Sequence, residues 1–294
     1  MDRQLSELAR LMEEHERAVW TTCVEACSSI PGNPLQAVVD HAGTLPLVAL
    51  CAVDRADINR VIGLGVRSPV DPEDLAAVCS FYERHDQRHY RVEVTPLAAA
   101  SEVPRWMADH GLSAEALGTY KIWRPSASPP AHPPGVEVRE LGPSDAEALS
   151  ALNISAWGAW SMPVSMAGWF GATLGADGVH HYGVVDGDRL VATGALFLGD
   201  GLGWLGFDAT HPRHQGRKLR QAISSVRMAA AHAHGCRLVH AESAVAPSRR
   251  VLRDGWHLLY EKASYSTVRL EKALTAGGRT AIRPFGTAAS SDGP

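Results

Sequence analysis

The sequence predicts an α/β protein made of two successive halves, each with a mixed, mostly antiparallel central sheet flanked by helices. Three observations carry this expectation. Residues Pro125 to Gly135, PSASPPAHPPG, can neither continue a helix nor fill a sheet, and so divide the chain with a semi-rigid linker. Strand-length and helix-length apolar patterns alternate on both sides of it. The stretch from Gly203 to Leu219, GWLGFDATHPRHQGRKL, reads as a strand that ends in a basic turn and opens directly into a helix. The expected division is residues 1–124, a linker at 125–135, a second half at 136–272, and a disordered Gly-, Ser- and Thr-rich tail at 273–294.

In the first half, Asp2 to Cys27 has helical periodicity, with Leu5, Leu8, Leu11 and Met12 expected on the buried face. Leu35 to Val39 and Leu47 to Val53 read as strands paired across His41 to Thr44, and Arg60 to Val66 as a third. Asp71-Pro72-Glu73-Asp74 supplies a cap, a first-turn proline and early acids, so a helix starts there. A strand at Arg91 to Val94, a helix through Trp106 and Met107 and a strand near Thr119 to Trp123 complete this half.

In the second half, VEVREL from Val136 is a short strand. One helix follows from Pro143, and another lies at about Val164 to Leu174, its start marked by Ser161 or Met162 before Pro163. Tyr182 to Val185 and Leu190 to Leu198 form a hairpin across Asp186-Gly187-Asp188. Leu219, Ile223, Val226 and Ala230 give the helix after the basic turn its apolar face. A strand at Arg237 to Ala241, a short helix at Ser248 to Arg253 and two strands at Trp256 to Tyr260 and Ser264 to Leu270 end the pattern.

The basic turn has a chemistry of its own. Free N–H groups and the positive dipole end at a helix start favour a phosphate, and Gly216 lets an anion approach where a side chain would obstruct it. Arg213, Arg217 and Lys218 add positive charge. These residues resemble the acetyl-CoA-binding signature of the GNAT N-acyltransferase superfamily, Gln/Arg-x-x-Gly-x-Gly/Ala. Arg213 and Gly216 match it, while Lys218 stands where a small residue is usual. The stretch Ser248 to Tyr260, SRRVLRDGWHLLY, is similar to the superfamily's late motif, with Gly255-Trp256 in the place of Gly-Phe. The first half resembles a degenerate GNAT unit: it has RVIGLGV and EDLAAVCSFYERH, but acids and prolines lie between Ser68 and Glu73, where a pyrophosphate would be repelled. The whole is similar to tandem GNAT acyltransferases of actinobacterial type.

The resemblance implies acetyl-CoA or another acyl-CoA as co-substrate, no metal, and a primary amine of a small molecule or peptide as acceptor. It places Phe207, Ala209 and Thr210 on the strand, and Arg213, His214, Gln215, Gly216, Arg217, Lys218 and Leu219 in the turn, around the cofactor. In the family the amine attacks directly, a backbone N–H before the turn polarises the thioester carbonyl, and a carboxylate takes the proton. Asp208 and Glu242 are the candidate bases; their competing readings are an arginine partner or solvated strand end, and a buried salt-bridge partner, respectively. His240 is a weaker candidate. The family's acidic tyrosine is absent, since Arg250 and Val251 fill its place. Ser248 either holds a water there or caps the helix, and Tyr260 and Tyr265 read as packing residues.

Trp157, Trp160 and Trp169, with Met162 and Met166, form either an apolar acceptor pocket or core. A second function class remains open: a non-catalytic acyl-CoA-binding module, or an acyltransferase served by a carrier protein's acyl groups. Homodimerisation through edge strands is also open.

Composition narrows the rest. An apolar content of 45% with 20% charged residues is that of a globular chain, and the net charge of −4 argues against a nucleic-acid partner. No signal peptide or membrane span is legible, and five cysteines without regular spacing suit reduced thiols, so a cytoplasmic location is expected. His85 and His89 share a helix face at metal-pair spacing but lack a third ligand in sequence.

Overall fold

A computed structural model describes residues 3–98, 101–115, 119–127, 129–157, 167–243 and 246–267. The first half comprises α1 (Arg3–Ser28), β1 (Ala37–Ala42), β2 (Leu45–Leu50), β3 (Arg60–Leu64), α2 (Pro72–Arg84), β4 (Arg91–Val94), α3 (Val103–Asp109), β5 (Ser113–Ala114) and β6 (Thr119–Pro125). The second comprises β7 (Arg139–Leu141), α4 (Ala146–Trp157), α5 (Ala167–Thr173), β8 (Val179–Asp186), β9 (Arg189–Gly199), β10 (Leu202–Thr210), α6 (Leu219–Ala233), β11 (Leu238–Ser243), α7 (Arg249–Arg253) and β12 (His257–Ser266). The expected α/β class with a mixed sheet flanked by helices is what the chain adopts. Among the described residues no helix is long and apolar enough to cross a membrane.

The two halves repeat one arrangement. In each, a strand, a helix and a parallel strand follow in order: β3, α2, β4 and then β10, α6, β11. Their sheets join, with strand order β3-β4-β12-β6-β11-β10-β9-β8-β7 and β5 beside β12; β1 and β2 form a separate hairpin. The junction is an exchange. β6, from the first half, lies antiparallel between β11 and β12. β12, from the second, runs on from β6 to pair with β4. Where the sequence suggests two final strands, one ten-residue strand spans 257–266. It stays unbroken because each end has a different partner to satisfy its backbone groups. Residues 268–294, including the end of the second expected strand and the tail, lie outside the described residues.

Period-two alternation splits the second half's core between the two sheet faces. Phe197 and Trp204 face α1, α4 and α5 in one cluster with Trp20, Leu149, Trp169 and Phe170. Leu196, Leu205 and Val239 face α6, against Leu219, Ile223, Met228 and Ala231. The first half has its own cluster, in which Leu75, Val78, Phe81 and Tyr82 of α2 cover Val61, Val92 and Val94. On α1 the buried stripe is Met12, Glu13, Glu16, Val19, Trp20, Cys23, Val24 and Cys27. Leu5, expected inside, is 39% exposed; the face is set by Val19, Trp20 and Cys23 further along the helix.

The linker is docked. Ser126 N–H bonds to the Arg237 carbonyl, and Gln221 Nε2 on α6 donates to the Ala131 carbonyl at 3.2 Å.

Candidate active site

Among the described residues β10 and β11 pair from Leu202–Leu238 to Leu205–Ala241, and beyond these β10 has no ladder partner on that side. On its other side the register against β9 shifts: Gly206 opposes Ala195 and Ala209 opposes Thr193, leaving Phe207 and Asp208 against the single residue Gly194. This is a β-bulge, and Phe207 sits in it with φ +52. The aromatic neighbours explain why the left-handed conformation is held. The Phe207 ring lies 5.6–6.1 Å from the centroids of Trp20, Trp169, Phe170, Phe197 and Trp204. Trp204 folds over Gly206 so closely that a Cβ there would lie 1.9 Å from its ring.

After β10, Pro212–His214 form a short 3-10 turn in which His211 Nδ1 accepts from the Arg213 N–H at 3.3 Å. Gly216 (φ +80) and Lys218 (φ +59) are left-handed, and α6 then begins at Leu219 with no side-chain cap. Among the described residues, a Cβ on Gly216 would meet nothing within 4 Å. Arg217 is engaged by Asp186 at 2.6 Å and by His214 Nδ1 at 2.7 Å. Arg213, Lys218 and Arg220 are exposed and form no ion pair among the described residues. Lys218 itself takes the left-handed position at the helix start, where a non-glycine residue costs about 1–2 kcal/mol.

The equivalent start in the first half is chemically closed. Asp71 caps α2 by accepting from the Asp74 N–H at 2.9 Å, and Asp74 accepts from the Asp71 N–H at 3.2 Å. Those carboxylates fill the place an anion would need. The start of α6 is thus basic, glycine-containing and without a side-chain cap, where that of α2 is capped by acids.

The two candidate bases have partners of their own. Asp208 Oδ1 accepts from Arg227 Nη2 at 2.6 Å, with the aspartate side chain 34% exposed. Glu242 belongs to a buried cluster of four carboxylates and three cations: Glu13 and Glu16 of α1, Arg60 of β3, Glu93 of β4, Lys121 of β6, Glu242 of β11 and Lys262 of β12. Lys262 Nζ lies 3.1, 3.0, 3.1 and 2.6 Å from Glu13, Glu16, Glu93 and Glu242. Arg60 reaches Glu93 and Glu242, each at 2.7 Å, and Lys121 bonds to Glu16. Both carboxylates are ion-paired, Glu242 inside the buried cluster and Asp208 with part of its side chain in solvent.

The charge count explains the cluster's titration. Four carboxylates outnumber three cations by one. Burial and then Glu242 push the Glu16 carboxyl up to about 7, and a Glu16–Glu242 hydrogen bond gives its proton a place. Burial alone would raise Glu242, but Lys262, Arg60 and Lys121 outweigh it and hold its carboxyl well below the usual range. Oxygens of Glu16, Glu93 and Glu242 lie within 4.8 Å of one another, as ligands of a cation would, and Lys262 and Arg60 supply that cation from within the chain.

The remaining candidates separate clearly. Ser248 Oγ accepts from the Val251 N–H at 3.4 Å, the bond of a helix cap on α7. Trp169 is 1% exposed and packs 5.6 Å from Trp20, so it is core rather than pocket wall. Trp160, Met162 and Met166 lie outside the described residues, as does the side chain of Trp157. His240 is fully buried, its Nε2 2.8 Å from His15 Nδ1; burial holds it neutral, as it does His15, lowered to about 4. Tyr260 donates to Glu13, and Tyr265 packs in the first half's core. The sequence reading missed Glu13, Glu16, Arg60, Glu93, Lys121 and Lys262. A signal existed for two of them: Glu13 and Glu16 fall in register with Met12, Val19, Trp20 and Cys23 on the apolar stripe of α1.

No protein-family model matches the sequence, and no curated protein matches it. Solved structures do. A GCN5-related N-acetyltransferase from Kribbella flavida superposes with a TM-score of 0.57 at 16% identity, over 83% of this chain and 95% of that one. A tandem GNAT protein from the clavulanic acid biosynthesis pathway gives 0.53 at 15%, over 85% and 94%. A GCN5-related N-acetyltransferase from Sphaerobacter thermophilus gives 0.51 at 17%, over 78% and 75%. With its bulged strand, uncapped helix start and repeated halves, the chain has the fold of the GNAT superfamily.

Proposed function

We propose that this protein is an acyl-CoA-dependent N-acyltransferase, most simply an acetyltransferase, whose second half binds the donor. The observation that carries this reading is the pairing of a splayed, bulged strand with an uncapped basic helix start in one half, against an acid-capped start at the same place in the other. The turn amides from Gln215 to Leu219, with Arg213 and Lys218 beside them, would hold the pyrophosphate, and the bound acyl-CoA supplies an activated thioester. Phe207, Ala209 and Thr210 line the free edge of β10, and the bulge frees backbone N–H groups from the ladder to polarise a carbonyl. Asp208 holds Arg227 through Oδ1 and keeps part of its surface in solvent, so it is the carboxylate with access to an amine's proton. Glu242 is tied into the cluster, and we assign it no catalytic part. With Ser248 capping α7, the leaving thiolate takes its proton from solvent.

One observation favours a second reading, a module that binds acyl-CoA or a carrier-bound acyl group without turnover: both carboxylates beside the splay are ion-paired. Calorimetry with acetyl-CoA on the wild type and on Gly216→Trp tests the donor site. One site per chain, lost in the variant, is expected. No binding at millimolar ligand would overturn the donor assignment. If binding holds, turnover against an amine panel, with Asp208→Asn as control, separates enzyme from module.

A further inference from the structure

Arg227 is an expensive residue to bury. It stands in the middle of α6, 1% exposed, on the helix face that packs against the sheet. Its guanidinium does not stop at that face. Nη1 donates to the Ala195 carbonyl at 2.8 Å and the Gly206 carbonyl at 3.2 Å, and Nη2 donates to Asp208 Oδ1 at 2.6 Å. Ala195 and Gly206 are the last pair before the bulge, and Asp208 is one of the two bulged residues. The residue opposite is Gly194, where a Cβ would lie 2.6 Å from Asp208 Oδ1 and 2.7 Å from Arg227 Nη1. A glycine on β9 thus leaves room for a guanidinium, and the guanidinium supplies donors to both strands where the ladder is interrupted.

We propose that Arg227 is a positioning residue that fastens the 206–209 bulge, and so aims the backbone N–H groups of Phe207 and Asp208, with Gly194 reserving its space. The proposal rests on the acyltransferase reading for its catalytic consequence, but not for the geometry. A planar fork is required because three acceptors on two strands are served at once, which a lysine's single nitrogen on a flexible stem cannot do in the same arrangement. Without the fork, the left-handed conformation at Phe207 loses one of its two restraints and keeps only its aromatic packing. Arg227 lies about 12 Å along α6 from Leu219, so the pyrophosphate turn should be little affected.

The test compares wild type, Arg227→Lys and Gly194→Ala by amide hydrogen exchange on peptides spanning 203–210, with peptides from β3 and β4 as the fold control. Faster exchange confined to 203–210 in both variants is expected. The kinetic expectation for Arg227→Lys is a fall in kcat of about 100-fold with KM for acetyl-CoA within about threefold of wild type. If Arg227 merely neutralised the charge of Asp208, lysine would restore wild-type exchange and kcat, and that result overturns the proposal whatever the activity. Should the wild type neither bind nor turn over acetyl-CoA while the variants still exchange faster at 203–210, the acyltransferase reading fails and the hold of Arg227 on the bulge stands.

Discussion

Replacing Lys262 by methionine removes the hub of the buried cluster while keeping a side chain of similar length. Lys262 Nζ lies within 3.1 Å of all four carboxylates, and Lys262 and its partners Glu13, Glu16 and Glu93 are fully buried. The variant leaves four carboxylates facing Arg60 and Lys121, an excess of two where the wild type has one. Breaking a buried pair by removing one partner costs about 3–5 kcal/mol, because the charge left behind keeps its desolvation penalty. That is a large share of the roughly 5–15 kcal/mol by which a domain is stable. The pH sign follows. Losing the ammonium raises the folded-state pKa of its carboxylate neighbours, so the folded variant holds protons that the unfolded chain releases above the ordinary glutamate range. The deficit should therefore be largest at neutral pH and shrink as pH falls and the cluster takes up protons. Urea denaturation at pH 7 and pH 5, with the m-value checked for two-state behaviour, measures both. A loss below about 1 kcal/mol at pH 7, unchanged at pH 5, would show that the cluster is not desolvated as the contacts indicate.

Glu16→Gln should act oppositely on the pH profile. Glu16, pushed up to about 7, holds a proton in the folded state that the unfolded chain gives up near its ordinary value, so wild-type stability from this group falls as pH rises from about 4.5 through 7. The glutamine variant lacks that slope, which denaturation across pH 5 to 8 reads. Glu93 and Glu242, held low, contribute stability that is lost only as pH falls below 4.5, outside that window. Gly206→Ala drives a Cβ to 1.9 Å from Trp204 and should cost about 1–3 kcal/mol by overpacking, with a change in tryptophan fluorescence; an unchanged melting curve would mean the indole has room to move.

Much of this architecture was legible because it is written locally. Asp-Gly between apolar runs specified the β8–β9 hairpin, Asp71-Pro72 specified the start of α2, and glycine with basic residues after Pro212 specified an uncapped helix start. These signals depend on backbone dihedrals and near-neighbour hydrogen bonds, which a few adjacent residues decide. The exchange of β6 and β12 between the halves is not written there, since any strand of suitable pattern can pair at several places and the choice depends on what lies beside it. The same holds for the site. Asp208 and Glu242 each had more than one reading in the sequence, and their ion-pair partners were not legible there: Arg227 lies nineteen residues along the chain from Asp208, and Arg60 lies 182 residues from Glu242. Seven charges drawn from six elements cancel to within one proton only when α1 lies across the strands that carry the other five. Charge at a distance in sequence carries no local signature, because Coulomb energy depends on separation in space and on the water excluded between the groups, and both are set by the tertiary fold.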